Sequence, residues 1–175
     1  DVIGRRRVDT HFLALEALGA EVQLGDSYEL FGKSLRGADI FLDEPSVTGT
    51  ENALMAAVRA QGRTVLRNAA SEPHVQDLAR LLVAMGARIE GIGSNTYVID
   101  GGQPLHGASY TIGPDHIEIG SFIGLAAVTN SALTIDGVRG DDLRGTLLGF
   151  ERLGIRPRLD GQKLIIDADQ ERRIR

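Results

Sequence analysis

Leu15-Glu16-Ala17-Leu18-Gly19-Ala20, Leu82-Val83-Ala84-Met85-Gly86-Ala87 and Phe150-Glu151-Arg152-Leu153-Gly154-Ile155 set the frame of this chain. Their glycines lie 67 and 68 residues apart (86 minus 19, 154 minus 86). Each glycine closes a run with apolar residues at helical spacing, which predicts a helix stopped by a residue free to take positive φ. A short strand pair follows every time: Glu21–Leu24 with Tyr28–Phe31, Arg88–Glu90 with residues 96–99, and residues 158–159 with Lys163–Ile166. The third pair turns on Asp160-Gly161, a two-residue hairpin signal.

A second helix recurs at about residues 50–60 and 116–127, each followed by an alternating strand at 63–66 and 132–135, whose starts are 69 apart (132 minus 63). The unit therefore reads helix, hairpin, strand, helix, strand, with a period of about 67–70 residues. That exceeds the solenoid repeats and predicts an α/β (α+β) chain in which each unit packs its helices against its own sheet. Boundary signals agree: Thr48 and Glu51 form a T-x-x-E capping box, Ser71 is a candidate N-cap before Glu72-Pro73, and Asp141 or Asp142 can open the third helix.

Of 175 residues, 42% are hydrophobic and 25% charged, enough for a packed core in one domain or two small ones. A net charge of -5 leaves no global basic field, so nucleic acid is not an expected partner, and the clusters Arg5-Arg6-Arg7 and Arg172-Arg173 call for local explanations. The absence of cysteine removes disulfides, thiolate metal sites and a cysteine nucleophile, and permits a cytoplasmic location. No apolar run approaches the roughly 20 residues of a membrane span, so no membrane partner is expected. His11, His74, His106 and His116 lack paired metal spacing, and no metal or cofactor is expected. The chain opens on Asp1 and a glycine-arginine cluster, the expectation being an internal stretch of a longer protein.

Two motifs sharpen this. Ile3-Gly4-Arg5-Arg6-Arg7-Val8-Asp9-Thr10-His11 resembles the I-G-x-R-P-V-D-x-H segment of the UDP-N-acetylglucosamine enolpyruvyl transferases, and Gly113-Pro114-Asp115-His116-Ile117-Glu118 resembles their P-D-R-I-E segment. Between them Leu18-Gly19-Ala20, Ser46-Val47, Thr50-Glu51-Asn52, Asn68-Ala69-Ala70 and Glu72-Pro73 keep the family's order. The resemblance implies an enolpyruvyl transferase-like inside-out α/β barrel of repeated units. Residues 1–113 would belong to the first, loop-bearing domain and 114–175 would begin the second. The implied substrates are UDP-N-acetylglucosamine and phosphoenolpyruvate, in the first committed step of peptidoglycan synthesis. The remainder of the parent chain would be needed for turnover. The changes at Arg7 and Glu44 keep a second reading open, a non-catalytic nucleotide-sugar binding module or divergent paralogue. The shikimate-phosphate enolpyruvyl transferases share the fold but not the R-x-V-D-x-H stretch, and rank third.

The same resemblance implies the site. Asp1 falls where most members carry a catalytic cysteine and some an aspartate; a carboxylic acid can serve as proton donor to carbon if its pKa is raised, and the plain alternative is an ordinary terminal residue. Arg6 matches the arginine lying against phosphate and sugar, a role its planar fork suits, whereas Arg5 fits a solvated loop. Arg7 stands where the family has proline. Val8, Asp9 and Thr10 match the segment at the uridine end, Asp9 being equally suited to cap the following helix. Ser46, Val47 and Thr48 correspond to a substrate loop whose helix start offers an anion site, although Glu44 reverses the usual lysine charge. Asp115 matches an acidic residue at the domain crossover, with a helix N-cap as its structural alternative.

Overall fold

The computed structural model describes residues 7–170. The chain divides into two compact units, Asp1–Thr111 and Ile112–Arg175.

In the first unit α1 (Asp9–Ala17) leads into an antiparallel hairpin of β1 (Glu21–Leu24) and β2 (Tyr28–Phe31). There follow β3 (Asp39–Phe41), α2 (Val47–Arg59), β4 (Gly62–Arg67), α3 (Pro73–Ala84) and a second hairpin of β5 (Arg88–Glu90) and β6 (Thr96–Gly101). β3 and β4 run parallel with α2 as the crossover, and β4 pairs antiparallel with β6, giving the sheet order β3-β4-β6-β5. Thr64 and Leu66 of β4 and Tyr97 and Ile99 of β6 are buried at the period of two that a half-covered strand requires. Leu66, Tyr97 and Ile99 pack with Ile40, Leu54, Val58, Val75 and Leu82 into one core reached by Ala14 of α1 and by Leu18 at its C-cap. Each fully buried Leu or Ile there contributes about 1.5–3 kcal/mol.

The second unit holds α4 (His116–Thr129), β7 (Leu133–Asp136), a 3-10 turn at Gly140–Leu143, α5 (Arg144–Arg152), β8 (Arg158–Asp160) and β9 (Lys163–Ile166). Its sheet order is β7-β9-β8, and Ile119, Ile123, Val138, Leu143, Leu164 and Ile166 form its core.

The three glycine stops share one geometry. Gly19, Gly86 and Gly154 have φ of +97°, +105° and +80°. The amide of the following residue returns to the carbonyl five residues back: Ala20 to Leu15, Ala87 to Leu82, Ile155 to Phe150, at 2.9, 2.9 and 3.0 Å. This is the Schellman motif, in which the left-handed residue lets the last amides reach orphan helix carbonyls.

The repeat has the expected period but a different phase. Helix, strand, helix, hairpin (α2-β4-α3-β5-β6) recurs as α4-β7-α5-β8-β9, and the central strand of each sheet is the hairpin's second strand or its direct neighbour, β4-β6-β5 matching β7-β9-β8. A sheet thus joins a strand of one glycine-framed unit to the hairpin of the next, rather than each unit packing on its own sheet. No closed barrel is present among the described residues, and no strand lies between β6 and α4. The last hairpin pairs Asp160 with Lys163, so its two-residue loop is Gly161-Gln162, one position later than expected.

Capping departs from the sequence reading too. Ser46, not Thr48, caps α2, accepting from the Gly49 amide at 3.1 Å, so the Thr48/Glu51 box is not formed. Glu72 precedes α3 and Pro73 takes its first turn, while the Ser71 carbonyl accepts from Gln76 Nε2. Asp141 and Asp142 lie in the 3-10 turn ahead of α5, whose N-cap position is Leu143.

Candidate active site

The beginnings of α1 and α2 meet. After β3, Leu42 continues the ladder by donating its amide to Arg67 O at 3.0 Å, and its carbonyl accepts from Asn68 Nδ2 at 2.8 Å. This fixes the backbone from which Asp43 projects. Three residues on, Ser46 caps α2, and the buried Thr50 hydroxyl ties that cap down by donating to Ser46 O (2.7 Å) and accepting from Ala70 N (2.9 Å). Gly49 in the same turn has no room for a side chain, since a Cβ would stand 2.9 Å from Thr10 Cγ2. α1 therefore lies directly against the first turn of α2.

Polar contacts converge on Asp43 across that junction. Thr10, 3% exposed, donates its hydroxyl to Asp43 Oδ1 at 2.6 Å, and Arg7 Nη2 lies 3.3 Å from Asp43 Oδ2. Arg7 Nε also donates to Asp9 Oδ2 at 2.9 Å. The Thr10 hydrogen bond, aided by Arg7 and the backbone amides of Asp43 and Glu44, holds the Asp43 carboxyl below the usual carboxylate range, against the opposing effect of desolvation. On the outer side, Asn52 Nδ2 stands 2.8 Å from His11 Nδ1 and Thr48 Oγ1 is 3.4 Å from His11 Nε2.

An open cavity of ≈ 390 Å³ adjoins this cluster, lined by Asp9, Phe12, Leu13, Glu16, Val22, Leu24 and Asp43. Its carboxylates repel phosphate, and together with the apolar wall they favour a flat group carrying N–H donors. The helix start at Val47 and Thr48 is the part of the junction suited to an anion, the Ser46 amide being taken by Glu44 O and the Gly49 amide by Ser46 Oγ.

Asp1 and Arg6, with Arg5, lie outside the described residues. Arg7 is exposed and paired with two carboxylates, Asp9 and Asp43. Val8 occupies the N-cap position of α1 without a side-chain cap, and Asp9 is the first helical residue, which overturns the reading of Asp9 as the cap. Thr10 is buried and turned to Asp43. Ser46 is the α2 cap, Val47 its first residue, and Thr48 faces His11. The structure thus brings Arg7, Asp9 and Thr10 together with the loop ending at Ser46. Asp115 belongs to the second unit, where its carboxylate caps α4, accepting from Ile117 N at 2.8 Å and Glu118 N at 3.1 Å. Sequence reasoning passed over Asp43. Its signal was position: a carboxylate just past the carboxyl end of an apolar strand, where open α/β sheets collect ligand groups. Among the described residues no His/Asp/Glu group is arranged to hold a metal, and no helix is long and apolar enough to cross a membrane.

The sequence profile of the EPSP synthase (3-phosphoshikimate 1-carboxyvinyltransferase) family matches residues 1–156. The chain is 62% identical over 174 residues to the UDP-N-acetylglucosamine 1-carboxyvinyltransferase of Bradyrhizobium diazoefficiens, covering 99% of this chain and 40% of that one. The enzyme of the same name from Treponema pallidum is 55% identical over 174 residues, covering 99% and 41%. Among solved structures, the enolpyruvyl transferase NikO from Streptomyces tendae superposes with a TM-score of 0.77 at 22% identity, covering 94% of this chain and 42% of that one. EPSP synthase from Acinetobacter baumannii gives 0.67 at 22% identity, covering 94% and 40%. These two establish the fold as that of the enolpyruvyl transferases. The chain spans about 40% of the length of the curated relatives it matches.

Proposed function

The chain belongs to the EPSP synthase (3-phosphoshikimate 1-carboxyvinyltransferase) family, and from that premise we propose that it is part of an enzyme transferring enolpyruvate from phosphoenolpyruvate to the 3-hydroxyl of UDP-N-acetylglucosamine, in peptidoglycan synthesis. The observation carrying this reading is the high identity, along nearly the whole chain, to enzymes named for that sugar nucleotide. In the reaction the methylene carbon of phosphoenolpyruvate gains a proton while the sugar oxygen bonds to the neighbouring carbon. A methyl proton and inorganic phosphate then depart, restoring the double bond. Asp1 is the proposed donor to carbon and Arg6 the proposed phosphate ligand. The base for the hydroxyl belongs to the remainder of the parent chain.

In this proposal residues 1–113 contribute to the first domain and 114–175 begin the second, with Asp115 at the crossover. The segment Arg7, Val8, Asp9 and Thr10 serves the uridine end, the carboxylate-lined cavity beside it suiting an N–H-bearing base. Ser46, Val47 and Thr48 serve the diphosphate, with helix amides rather than a lysine supplying the positive field, because Glu44 stands at the lysine position. The setting is cytoplasmic, with no nucleic-acid or membrane partner.

Phosphate release by the full-length enzyme, with both substrates present, tests the reading. The 175-residue chain alone should show none. Replacing Arg6 by Ala should cost roughly 1.5–3 kcal/mol of substrate interaction, and Arg5→Ala little. Should Arg5→Ala prove the more damaging, the register of the arginine cluster is wrong. Binding of UDP-N-acetylglucosamine without any phosphate release would favour the second reading, a nucleotide-sugar binding module, for which Arg7 and Glu44 are the motivating residues.

A further inference from the structure

Asp43 has no assigned part in this reading, yet it is where the two substrate segments are joined. Its carboxylate accepts hydrogen bonds from the hydroxyl of a buried threonine on α1, Thr10, at 2.6 Å and from a guanidinium N–H of Arg7 at 3.3 Å. The first distance is that of a charge-assisted O–H···O⁻ bond, roughly twice as strong as a neutral one. Asp43 is also three residues ahead of Ser46, and Leu42 beside it is fixed on both backbone groups by Arg67 and Asn68. A shift of α1 relative to α2 must therefore break contacts to Asp43.

A purely structural role accounts poorly for this arrangement. The Asp43 side chain is 35% exposed and Arg7 66% exposed, and ion pairs so solvated contribute little to folding. The core beneath, with Ala14 against α2 and Gly49 against Thr10, packs the helices without Asp43. What the carboxylate adds is orientation. It fixes the rotamer of Thr10 and draws Arg7 to the cavity wall that it shares with Asp9.

We propose that Asp43 is a positioning residue for the nucleotide sugar, locking residues 7–10 to residues 46–48 so that both segments act on one ligand. The inference rests on the enolpyruvyl transfer reading. It requires that loss of Asp43 weaken sugar-nucleotide binding while sparing the chemical step.

The experiment uses the full-length enzyme with Asp43→Asn, Thr10→Val and Thr10→Ser. Asp43→Asn should raise KM for UDP-N-acetylglucosamine, and its Kd by calorimetry, roughly tenfold, with kcat and the phosphoenolpyruvate KM within about twofold. Thr10→Val should behave alike, Thr10→Ser should recover most of the lost affinity, and the double variant Asp43→Asn/Thr10→Val should be no worse than either single one. A sugar-nucleotide KM within about twofold of wild type in Asp43→Asn overturns the proposal, as does a loss confined to kcat. If Asp43→Asn does not fold, Asp43→Ser decides by the same KM criterion. A wild-type enzyme that binds no UDP-N-acetylglucosamine overturns the functional reading and the proposal with it, whereas one that binds while Asp43→Asn binds equally overturns the proposal alone.

Discussion

Thr50 holds the start of α2 in place, and its removal should be costly. Its side chain is fully buried; the hydroxyl donates to Ser46 O at 2.7 Å and accepts from Ala70 N at 2.9 Å. Thr50→Val keeps the shape and deletes both bonds. The Ser46 carbonyl remains satisfied by the Thr50 amide at 2.9 Å, so losing the donated bond costs about 1 kcal/mol. The Ala70 amide has no such reserve: Ala70 is 2% exposed, and stranding a buried donor costs about 1–3 kcal/mol. The sum is about 2–4 kcal/mol. Thr50→Ser keeps both bonds and loses one buried methyl, which costs about 0.5–1.5 kcal/mol. Urea unfolding should show the valine variant with a lowered midpoint at unchanged slope. A valine variant within about 0.5 kcal/mol of wild type, or a serine variant equally destabilised, would refute the hydrogen-bond argument.

Three further outcomes are expected. Gly37→Ala should destabilise the first unit by about 1–3 kcal/mol or more, because a Cβ there collides with the Arg63 carbonyl, backbone that cannot give; thermal melting checks it. Asp39 is held below the usual carboxylate range by its hydrogen bond to Arg67, and a lowered folded pKa contributes stability present above the unfolded value of about 3.9 and lost as pH falls through the folded one. The stability gap between wild type and Asp39→Asn should therefore close on acidification, and a gap that persists in acid unfolding curves contradicts the assignment. Asp115→Ala should cost the second unit about 1 kcal/mol, with Asp115→Asn retaining most of the cap, as read by denaturant titration.

What the sequence made legible was local chemistry. The glycines at 19, 86 and 154 stop helices because only a residue at ease with positive φ completes the Schellman bonds, and the hairpins Glu21–Leu24 with Tyr28–Phe31 and Arg88–Glu90 with β6 lie where alternation and turn spacing put them. Phase was illegible because pairing between β4 and β6 spans an intervening helix, and no periodicity within either strand names its partner. Cap positions slipped by one or two residues where two hydroxyls competed: Ser46 and Thr48 are both competent, and burial of Thr50 against Ser46 O settles the choice. Val8 preceding Asp9 at α1 reflects the carboxylate's pairing with Arg7, a contact that propensity does not weigh. The Arg7, Asp9, Thr10 and Ser46 grouping followed from the resemblance, whereas for Asp43 the sequence offered only its place after β3, and its bond to Thr10 needed α1 laid beside that strand end.

The staggered pairing of the repeats bears on how such a chain can be cut and rejoined. Splicing two relatives at Gly86, the obvious seam in the text of the sequence, would ask β4 of one parent to zip onto β6 of another through six facing residue pairs, Gly62↔Gly101 to Arg67↔Thr96. Splicing within residues 102–115, after the hairpin has closed its ladder, leaves every described pairing inside one parent. Chimaeras and ancestral duplications alike should respect that second seam, the building block running from the helix α2 or α4 to the end of the hairpin that follows, instead of from one glycine stop to the next.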